Sequence, residues 1–253
     1  MLSLERRDEI KSALLENQSI TVSELSDKYN VSFETIRRDF DELEKEGFLT
    51  RTYGGAVLRK HVRQDVNYNM LSNLFIENKQ RIVHKASEFV SSGDCIFIDH
   101  STTVFQLIHE IKNLKLTIMS NSIKVLPELS EIPGIDIVST GGTLNKELYC
   151  LLGNTAEKTV KNFYMDKAFL SCRAIDKQHG LSDKFEQEAE IRRTIIDNAD
   201  SVYLLMDHTK FDKTAFVRTC DLQKITCIIT DHLLSDAWKE LFISNDISYY
   251  EVE

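Results

Sequence analysis

Several apolar segments in the second part of the chain end in small hydroxyl, amide, glycine or lysine residues. The endings in question are Asp99-His100-Ser101-Thr102-Thr103, Ser120-Asn121-Ser122, Ser139-Thr140-Gly141-Gly142-Thr143 and Asp207-His208-Thr209-Lys210. Backbone N–H groups in such segments bind anions, and a lysine adds a positive charge suited to a phosphate. A single ending of this kind indicates only a helix cap. Several at corresponding places predict a site for a small phosphorylated ligand.

The elements that must position these residues are short apolar strands separated by helical stretches. Strands are predicted at Cys95–Asp99, Leu116–Met119, Ile135–Val138, Ala168–Ser171, Val202–Met206 and Cys227–Thr230. Helices are predicted over 76–90 and 102–111. This alternation is typical of an α/β fold with a doubly wound, mostly parallel sheet. Such sheets bind ligands beyond the carboxyl ends of their strands, so the polar endings are expected to meet there.

The first sixty residues show a different pattern, with two adjacent arginines on the outer side of a predicted helix. Its apolar residues are spaced three, four and three apart and predict one buried stripe of Phe33, Ile36, Phe40 and Leu43. The residues left on the other faces are Glu34, Thr35, Arg37, Arg38 and Asp41. Guanidinium groups match guanine edges and phosphates, so the pattern has what a DNA recognition helix requires.

Local signals surround this helix with a compact unit. Thr21 and Glu24 form a predicted capping box that starts the preceding helix, and Ser32 is a predicted N-cap of the helix with the arginines. After Gly47, an alternating segment meets Gly54-Gly55 and predicts a hairpin, or wing, that places Arg51 and Tyr53 against a DNA backbone. The same succession of capped helices is also a common packing unit without any role in DNA binding.

Composition limits the classes of protein that this chain can represent. Its 253 residues carry a formal charge of −9, so net charge alone does not indicate a nucleic-acid partner. The five cysteines include no C-x-x-C pair, and we predict no metal site, no disulfide framework and no cofactor. The longest apolar runs are too short for a membrane span, and the charged start is unlike a signal peptide. We therefore expect a cytoplasmic protein with no membrane partner.

The motifs of the first sixty residues resemble the winged helix-turn-helix signature of the DeoR family. The matching residues are Val31-Ser32, Thr35-Ile36-Arg37-Arg38-Asp39, Leu43-Glu44, Gly47, Leu49, Arg51 and Gly54-Gly55-Ala56. The resemblance covers about half of this predicted domain without a gap. It implies that Ser32, Thr35, Arg37 and Arg38 contact an operator and that Arg51, Tyr53 and Gly54 belong to the wing.

The remainder of the chain resembles the sugar-phosphate sensor domain of the same family over residues 76–253. The matching elements are Asp99/Thr102/Thr103, Asn121/Ser122, Gly141/Gly142, Asp166–Phe169, Gly180–Ser182, Glu188/Ala189, Asp207/Lys210/Phe211 and Ile229–Asp231. The resemblance implies a fold similar to ribose-5-phosphate isomerase. It also implies a sugar phosphate held by the first loop and Lys210, with the sugar near Asp99, Asn121 and Gly141-Gly142; Glu188 completes this set of candidates.

Two places depart from the family pattern. The family's first loop usually contains a glycine, whereas this loop reads Asp99-His100-Ser101-Thr102-Thr103, without one. His100 either donates to the effector, which would make effector affinity pH-sensitive, or points outward. Arg173 stands where many members are glycine-rich and either contacts the phosphate or faces solvent. Both departures concern the geometry of the expected phosphate site.

Three functional classes are candidates for the whole chain. An isomerase or related sugar-phosphate enzyme would use Asp99, Glu188 and Asp207 as acid or base, but it has no use for a DNA-binding unit. An interaction module accounts for neither half. We predict a transcriptional regulator, a repressor of a carbohydrate operon, that binds double-stranded operator DNA as a homo-oligomer and responds to a phosphorylated sugar. The expected domains are 1–58 for DNA binding, 59–74 as a linker and 75–253 for effector sensing.

Overall fold

The computed structural model of the protein describes residues 2–59 and 68–252. The chain divides into two compact units, Met1–Phe75 and Ile76–Glu253. Much of the expected linker, from 60 to 67, lies outside the described residues. The described part that follows contains a short helix, α4 (Tyr68–Asn73), within the first unit. The sequence pattern over 59–74 has no sustained period and did not predict this helix.

The first unit contains three further helices and a small sheet. Its remaining elements are α1 (Ser3–Asn17), β1 (Ser19–Thr21), α2 (Val22–Tyr29), α3 (Phe33–Lys45), β2 (Leu49–Thr52) and β3 (Gly55–Leu58). The Thr21 side chain accepts from the Glu24 N–H while the Glu24 carboxylate accepts from the Thr21 N–H, which forms the expected capping box. Ser32 caps α3 by accepting from the Thr35 N–H at 3.2 Å. These local contacts set where α2 and α3 begin.

The wing contains one strand more than the predicted hairpin. The strand order is β1-β3-β2, so β1 pairs antiparallel with β3 in addition to the expected β2–β3 hairpin. Gly55 makes this pairing possible, because a Cβ at Gly55 would lie 2.3 Å from the Ile20 carbonyl oxygen. The N–H of Val22 also donates to the Gly54 carbonyl at 2.9 Å, which ties the tip of the wing to the start of α2.

The core of the first unit confirms three of the four residues in the predicted α3 stripe. Ile36, Phe40 and Leu43 are buried against α1, α2 and the sheet, whereas Phe33 is 49% exposed, so its predicted burial is wrong. Phe33 is the first residue of α3, and along this helix the core begins at Ile36. A three-residue spacing fixes the side of the helix a residue occupies, but it does not fix how far the core extends.

This difference predicts unequal costs for two phenylalanine truncations. Phe40→Ala should lower the free energy of unfolding of the first unit by about 3–5 kcal/mol, since it leaves a cavity in the core, and Phe33→Ala by less than about 1 kcal/mol. Urea unfolding followed by helical circular dichroism measures both changes. Trp238, the chain's single tryptophan, lies in the second unit, so its fluorescence transition should stay in place in either variant. Equal losses for Phe33→Ala and Phe40→Ala would contradict the observed core.

The second unit contains a seven-stranded sheet whose strand pairs are all parallel, as the alternating pattern predicted. The strands of this sheet are β4 (Cys95–Ile98), β5 (Leu116–Ser120), β6 (Ile135–Ser139), β9 (Met165–Leu170), β12 (Ala199–Met206), β14 (Cys227–Thr230) and β15 (Ser248–Glu251). Its helices are α5 (Ile76–Ser87), α6 (Thr102–Phe105), α7 (Leu107–Ile111), α8 (Val125–Ser130), α9 (Asn154–Val160), α10 (Glu186–Asp197) and α11 (Asp236–Ser244). The predicted helix 102–111 is interrupted at Gln106 and forms two short helices. Separate apolar clusters cover the two faces of the sheet.

The order of the strands identifies where the sheet changes direction. It reads β15-β14-β12-β9-β4-β5-β6, so the chain builds outward from β4 to one edge and then returns to add β9 on the other side of β4. Such a switch point leaves a crevice beyond the carboxyl ends of the two central strands. The residues that follow β4 and β9 therefore flank the crevice where ligands of these folds bind.

Two small antiparallel sheets accompany the main one and were not predicted from the sequence. The first joins β7 (Thr143–Asn145) to β8 (Cys150–Leu152), and the second has the order β10 (Ala174–Asp176), β11 (Gly180–Asp183), β13 (Val217–Cys220). Their strands are three or four residues long, too short for an alternating pattern to be recognised. Over the described residues, no helix is long and apolar enough to cross a membrane.

Candidate functional site

The outer side of α3 presents the residues predicted to contact DNA. The side chains of Arg37 and Arg38 are exposed, and Arg38, 78% exposed, approaches Glu34 only at 3.6 Å. A solvent-exposed pair at that distance contributes little to stability, so the Arg38 guanidinium can exchange this partner for a base or a phosphate. Ser32 and Thr35 lie at the N-terminal end of the same helix, with their hydroxyl oxygens 2.9 Å apart. The structure thus brings the four predicted helix residues to one end of α3.

The wing residues lie beside this helix within the first unit. Arg51 is held against α3, since its guanidinium pairs with Asp41 and its N–H donates to Glu44 Oε1 at 2.9 Å. Tyr53 is fully exposed at the turn, and Gly54 there has a φ of +83°, a conformation that favours glycine. Arg51, Tyr53 and Gly54 therefore extend the exposed polar surface of α3.

Asp39, which belongs to the Arg37-Arg38-Asp39 motif, has a structural position instead. Its carboxylate is buried and accepts from Arg6 Nε at 2.6 Å and from Arg6 Nη2 at 3.2 Å. The hydrogen bond to Asp39 is the main reason why the pKa of Arg6 is raised. This pair joins α1 to α3 and so fixes the helix that carries the two exposed arginines. Sequence reasoning did not identify the pair because its members are 33 positions apart.

In the second unit, Asp99 connects the loops on both sides of the switch point. One carboxylate oxygen accepts from the Ser101 N–H at 2.8 Å, and the other accepts from the Ser171 N–H at 2.9 Å. Ser101 follows β4 and Ser171 follows β9, so a single side chain fixes the loops that flank the crevice. Asp99 also lies 3.4 Å from Arg192 Nη2. Its observed role is to organise the site.

Arg192 is the central cation of this network, and sequence reasoning missed it. It is buried, and its guanidinium pairs with Asp183 as well as with Asp99. Burial alone would lower the pKa of Arg192, but the carboxylates of Asp183, Asp99 and Glu188 outweigh burial and raise it. The Thr219 hydroxyl donates to Asp183 at 2.6 Å. Arg192 lies four residues after Glu188 on α10, a spacing that from sequence indicates only a solvent-exposed ion pair.

His100 points into the site, which excludes the outward alternative. Its Nε2 lies 3.3 Å from Glu188 Oε1 and its Nδ1 lies 3.4 Å from Asn121 Nδ2. All three side chains are buried, and Asn121 Oδ1 has no hydrogen-bond partner among the described residues. His100 thus occupies space at the carboxyl ends of β4 and β5 that a glycine would leave open. A ligand that reaches this cluster meets an amide oxygen able to accept a hydrogen bond.

Two lysines supply positive charge around the same strand ends. Lys210 Nζ donates to Ser171 Oγ at 3.2 Å and to the Cys172 carbonyl at 2.8 Å. Lys79, on α5, is only 3% exposed and donates to Thr102 Oγ1 at 3.0 Å. Lys210 was a predicted site residue, whereas Lys79 was not, because a lysine in an amphipathic helix indicates a solvated face. Each lysine is tied to a hydroxyl of a loop at the switch point.

The other predicted effector residues lie beyond the carboxyl ends of β4, β6 and β9. Ser101 caps α6 by accepting from the Val104 N–H at 3.2 Å, and Thr103 is buried. The N–H of Arg173 donates to Asp183 Oδ1 at 3.2 Å. At position 142 only a glycine fits, since a Cβ there would lie 2.6 Å from the Leu152 carbonyl oxygen. At Gly141, by contrast, nothing lies within 4 Å of the position that a Cβ would occupy.

A reactive thiol, a metal centre and a second groove are the alternatives to the polar cluster. Burial raises the pKa of the Cys172 thiol to about 12, so it is neutral near pH 7 and unsuited to nucleophilic chemistry. Within residues 2–59 and 68–252, no group of three or more His, Cys, Asp or Glu side chains could hold a metal ion. An open groove of about 710 Å³ between α5 and α7 carries charges of both signs and shares no lining residue with the polar cluster. The candidate effector site is therefore the polar cluster at the switch point.

Comparison with known proteins relates both units to one family. The DeoR-like helix-turn-helix domain matches residues 6–62, and the DeoR C terminal sensor domain matches residues 75–232. The uncharacterized HTH-type transcriptional regulator YulB of Bacillus subtilis is 35% identical over 94% of this chain and 92% of its own length. A putative aga operon transcriptional repressor of Escherichia coli O157:H7 is 32% identical over 90% of this chain and 86% of its own. Ribose 5-phosphate isomerase A of Methanocaldococcus jannaschii, 16% identical over 53% of each chain, aligns with a TM-score of 0.39, a likeness too low to bear on activity.

Proposed function

Since this chain belongs to the DeoR family of DNA-binding transcriptional regulators, we propose that it represses a carbohydrate uptake or catabolism operon under the control of a phosphorylated sugar. The family membership makes the chain a regulator and not an enzyme.

Operator recognition is assigned to the exposed end of α3. Arg37 and Arg38 are free of strong intramolecular partners among the described residues and project from a helix whose opposite side is buried. Arginine pairs bidentately with guanine, which suits residues in the N-terminal half of a recognition helix. Arg51, Tyr53 and Gly54 are assigned to contacts between the wing and the sugar-phosphate backbone. One helix of this kind reads one half-site, so the proposed species on DNA is a homodimer or homotetramer.

Effector recognition is assigned to the crevice between β4 and β9, and the observation that carries it is the placement of Lys210. This lysine follows β12, yet its ammonium group reaches across to Ser171 after β9. A phosphate bound there would accept charge-assisted hydrogen bonds from Lys210 and from the hydroxyl-rich loop after β4. Asn121, Glu188 and His100 would then face the hydroxyl groups of the sugar. The crevice combines a cation for a phosphate with acceptors for hydroxyls, which suits a sugar phosphate.

A thermal-shift experiment tests the effector assignment. We expect one member of a panel of pentose and hexose phosphates to raise the unfolding midpoint of the wild-type protein while its unphosphorylated sugar does not. At 100 times its dissociation constant the ligand adds roughly 2.7 kcal/mol of stability. Lys210→Ala should weaken that ligand by about 10- to 100-fold, the equivalent of a lost charge-assisted contact of about 1.5–3 kcal/mol, and leave operator affinity intact.

The matched control for Lys210→Ala is Lys224→Ala. Lys224 lies in the same unit and carries the same charge, but its ammonium pairs at the surface with Asp197. Lys224→Ala is therefore expected to keep the full thermal shift. Loss of the shift in both variants would indicate a general charge effect, and an unchanged shift in Lys210→Ala would refute the assignment of Lys210.

A further inference from the structure

The first turn of α5 is the point where the chain enters the sensor unit. The boundary between the two units falls between Phe75 and Ile76, and α5 begins at Ile76. Asn78 and Lys79 are therefore the third and fourth residues of the second unit. Because they follow the boundary directly, they lie in the part of the sensor unit that is covalently joined to the DNA-binding unit.

Lys79 anchors this turn to the loop after β4. Its ammonium group is buried and lies 3.0 Å from the Thr102 hydroxyl. Thr102 is one of the residues assigned to the effector, so the lysine and the proposed phosphate position share a hydroxyl neighbour. A phosphate oxygen next to Thr102 would be within reach of Lys79 and would compete for its N–H groups.

Asn78 connects the same turn, through Asp231 directly after β14, to the loop after β12 that carries Lys210. Asn78 Nδ2 donates to Asp231 Oδ2, and the Asp231 carboxylate also accepts from the His208 N–H at 2.7 Å and lies 3.0 Å from His208 Nδ1. His208 is two residues before Lys210. Burial alone would raise the pKa of Asp231, but its hydrogen bonds from His208 and Asn78 hold that pKa below the usual value. The carboxylate is therefore ionised near neutral pH and keeps the three side chains together.

We propose that the first turn of α5 couples the effector site to the DNA-binding unit, with Lys79 and Asn78 as its two positioning residues. This inference rests on the proposed sugar-phosphate control. A bound phosphate draws Lys79 from Thr102. The turn also follows the Lys210 loop as that loop closes on the ligand, because Asn78 donates to Asp231 and the same carboxylate holds His208. The turn has one set of partners without the effector and another with it, which is what a two-state coupling element requires. By reciprocity, operator DNA changes effector affinity by the same factor.

The coupling is measured as the ratio of operator affinities without and with the effector. The full-length protein is titrated onto a duplex that the wild type selects from a random library, in the absence and presence of the panel member that gives the thermal shift. We expect a ratio of about 5- to 150-fold in either direction for the wild type. Asn78→Ala should reduce this ratio to below about 3-fold. Its affinity for the effector, measured by calorimetry, should stay within about 3-fold of the wild-type value, and so should its affinity for the operator without effector.

Lys79 variants separate this role from simple structural support. Lys79→Met keeps the length of the side chain and is expected to lose both effector affinity and coupling, whereas Lys79→Arg keeps the charge and should restore part of each. A merely structural role of Asn78 would lower the unfolding midpoint and leave the coupling ratio unchanged. A wild-type ratio retained by Asn78→Ala overturns the coupling role alone. If no sugar phosphate shifts the wild-type protein, the proposed function fails and this inference fails with it.

Discussion

Replacing Arg37 and Arg38 together by alanine is expected to weaken operator binding by about 30-fold to 10⁴-fold. Each bidentate contact with a base contributes about 1–3 kcal/mol to the binding free energy, and about 1.4 kcal/mol corresponds to a tenfold change in affinity. Neither side chain supports the fold, since both are exposed and Arg38 approaches Glu34 only at 3.6 Å. The unfolding midpoint of the double variant should therefore stay close to that of the wild type. Fluorescence anisotropy with the selected duplex measures the loss.

The control for this double variant removes two charges elsewhere in the first unit. Lys28 and Lys45 are exposed in the last turns of α2 and α3, outside the N-terminal half of α3 that carries Arg37 and Arg38. Lys28→Ala with Lys45→Ala should reduce affinity for all duplexes to a similar, smaller extent, because it changes only the general attraction to phosphates. If this control weakened specific binding as much as the arginine variant does, the recognition helix would be wrongly assigned.

The second large effect is expected at Arg192. Arg192→Ala would leave the carboxylates of Asp99 and Asp183 buried without their guanidinium partner, and breaking a buried ion pair from one side costs about 3–5 kcal/mol. The loss belongs to the second unit and should appear in urea unfolding followed by Trp238 fluorescence, since that side chain is buried in the core of this unit. We also expect the thermal shift by the effector to disappear, because Asp99 would no longer hold the loops after β4 and β9.

The neighbouring arginine provides a control of the same residue type on the same helix. Arg193 is partly exposed, pairs with Glu190 at 2.7 Å and donates to the Arg218 carbonyl at 2.7 Å, and contacts of these kinds each contribute about 1 kcal/mol. Arg193→Ala should therefore cost about 2 kcal/mol or less, below the loss expected for Arg192→Ala, and keep the response to effector. Similar losses for the two variants would show that Arg192 acts as an ordinary surface residue, contrary to its burial.

The sequence predicted those features that depend on residues close together in the chain. The capping box of Thr21 and Glu24 and the N-cap Ser32 were correct because a cap is formed within one helical turn. The strands of the main sheet were recognised, apart from β15, because buried parallel strands are continuous apolar runs. At Phe33 the same reasoning was wrong, because helical spacing predicted burial but the core along α3 begins only at Ile36.

The sequence predicted which strand ends contribute to the candidate site, but it did not predict the buried charged residues inside the site. Asp99, His100, Asn121 and Lys210 were found because each follows a predicted strand, and the carboxyl ends of parallel strands share one edge of a sheet. Arg192, Asp183 and Lys79 were missed because charged residues on amphipathic elements usually face solvent. Their partners come from distant parts of the chain: Arg192 and Asp99 are 93 positions apart, and Lys79 and Thr102 are 23 apart.

By itself, the sequence determined the two-unit organisation, the exposed arginines of α3 and the strand ends that carry the polar residues, because each of these follows from local periodicity. Only the tertiary structure decided that β9 lies beside β4, and with it which loops share Asp99 as their common acceptor. The same folding step buried Arg192 and Lys79. Strand order and the burial of a charge depend on which distant segments come together, and helical or strand periodicity carries no information about that.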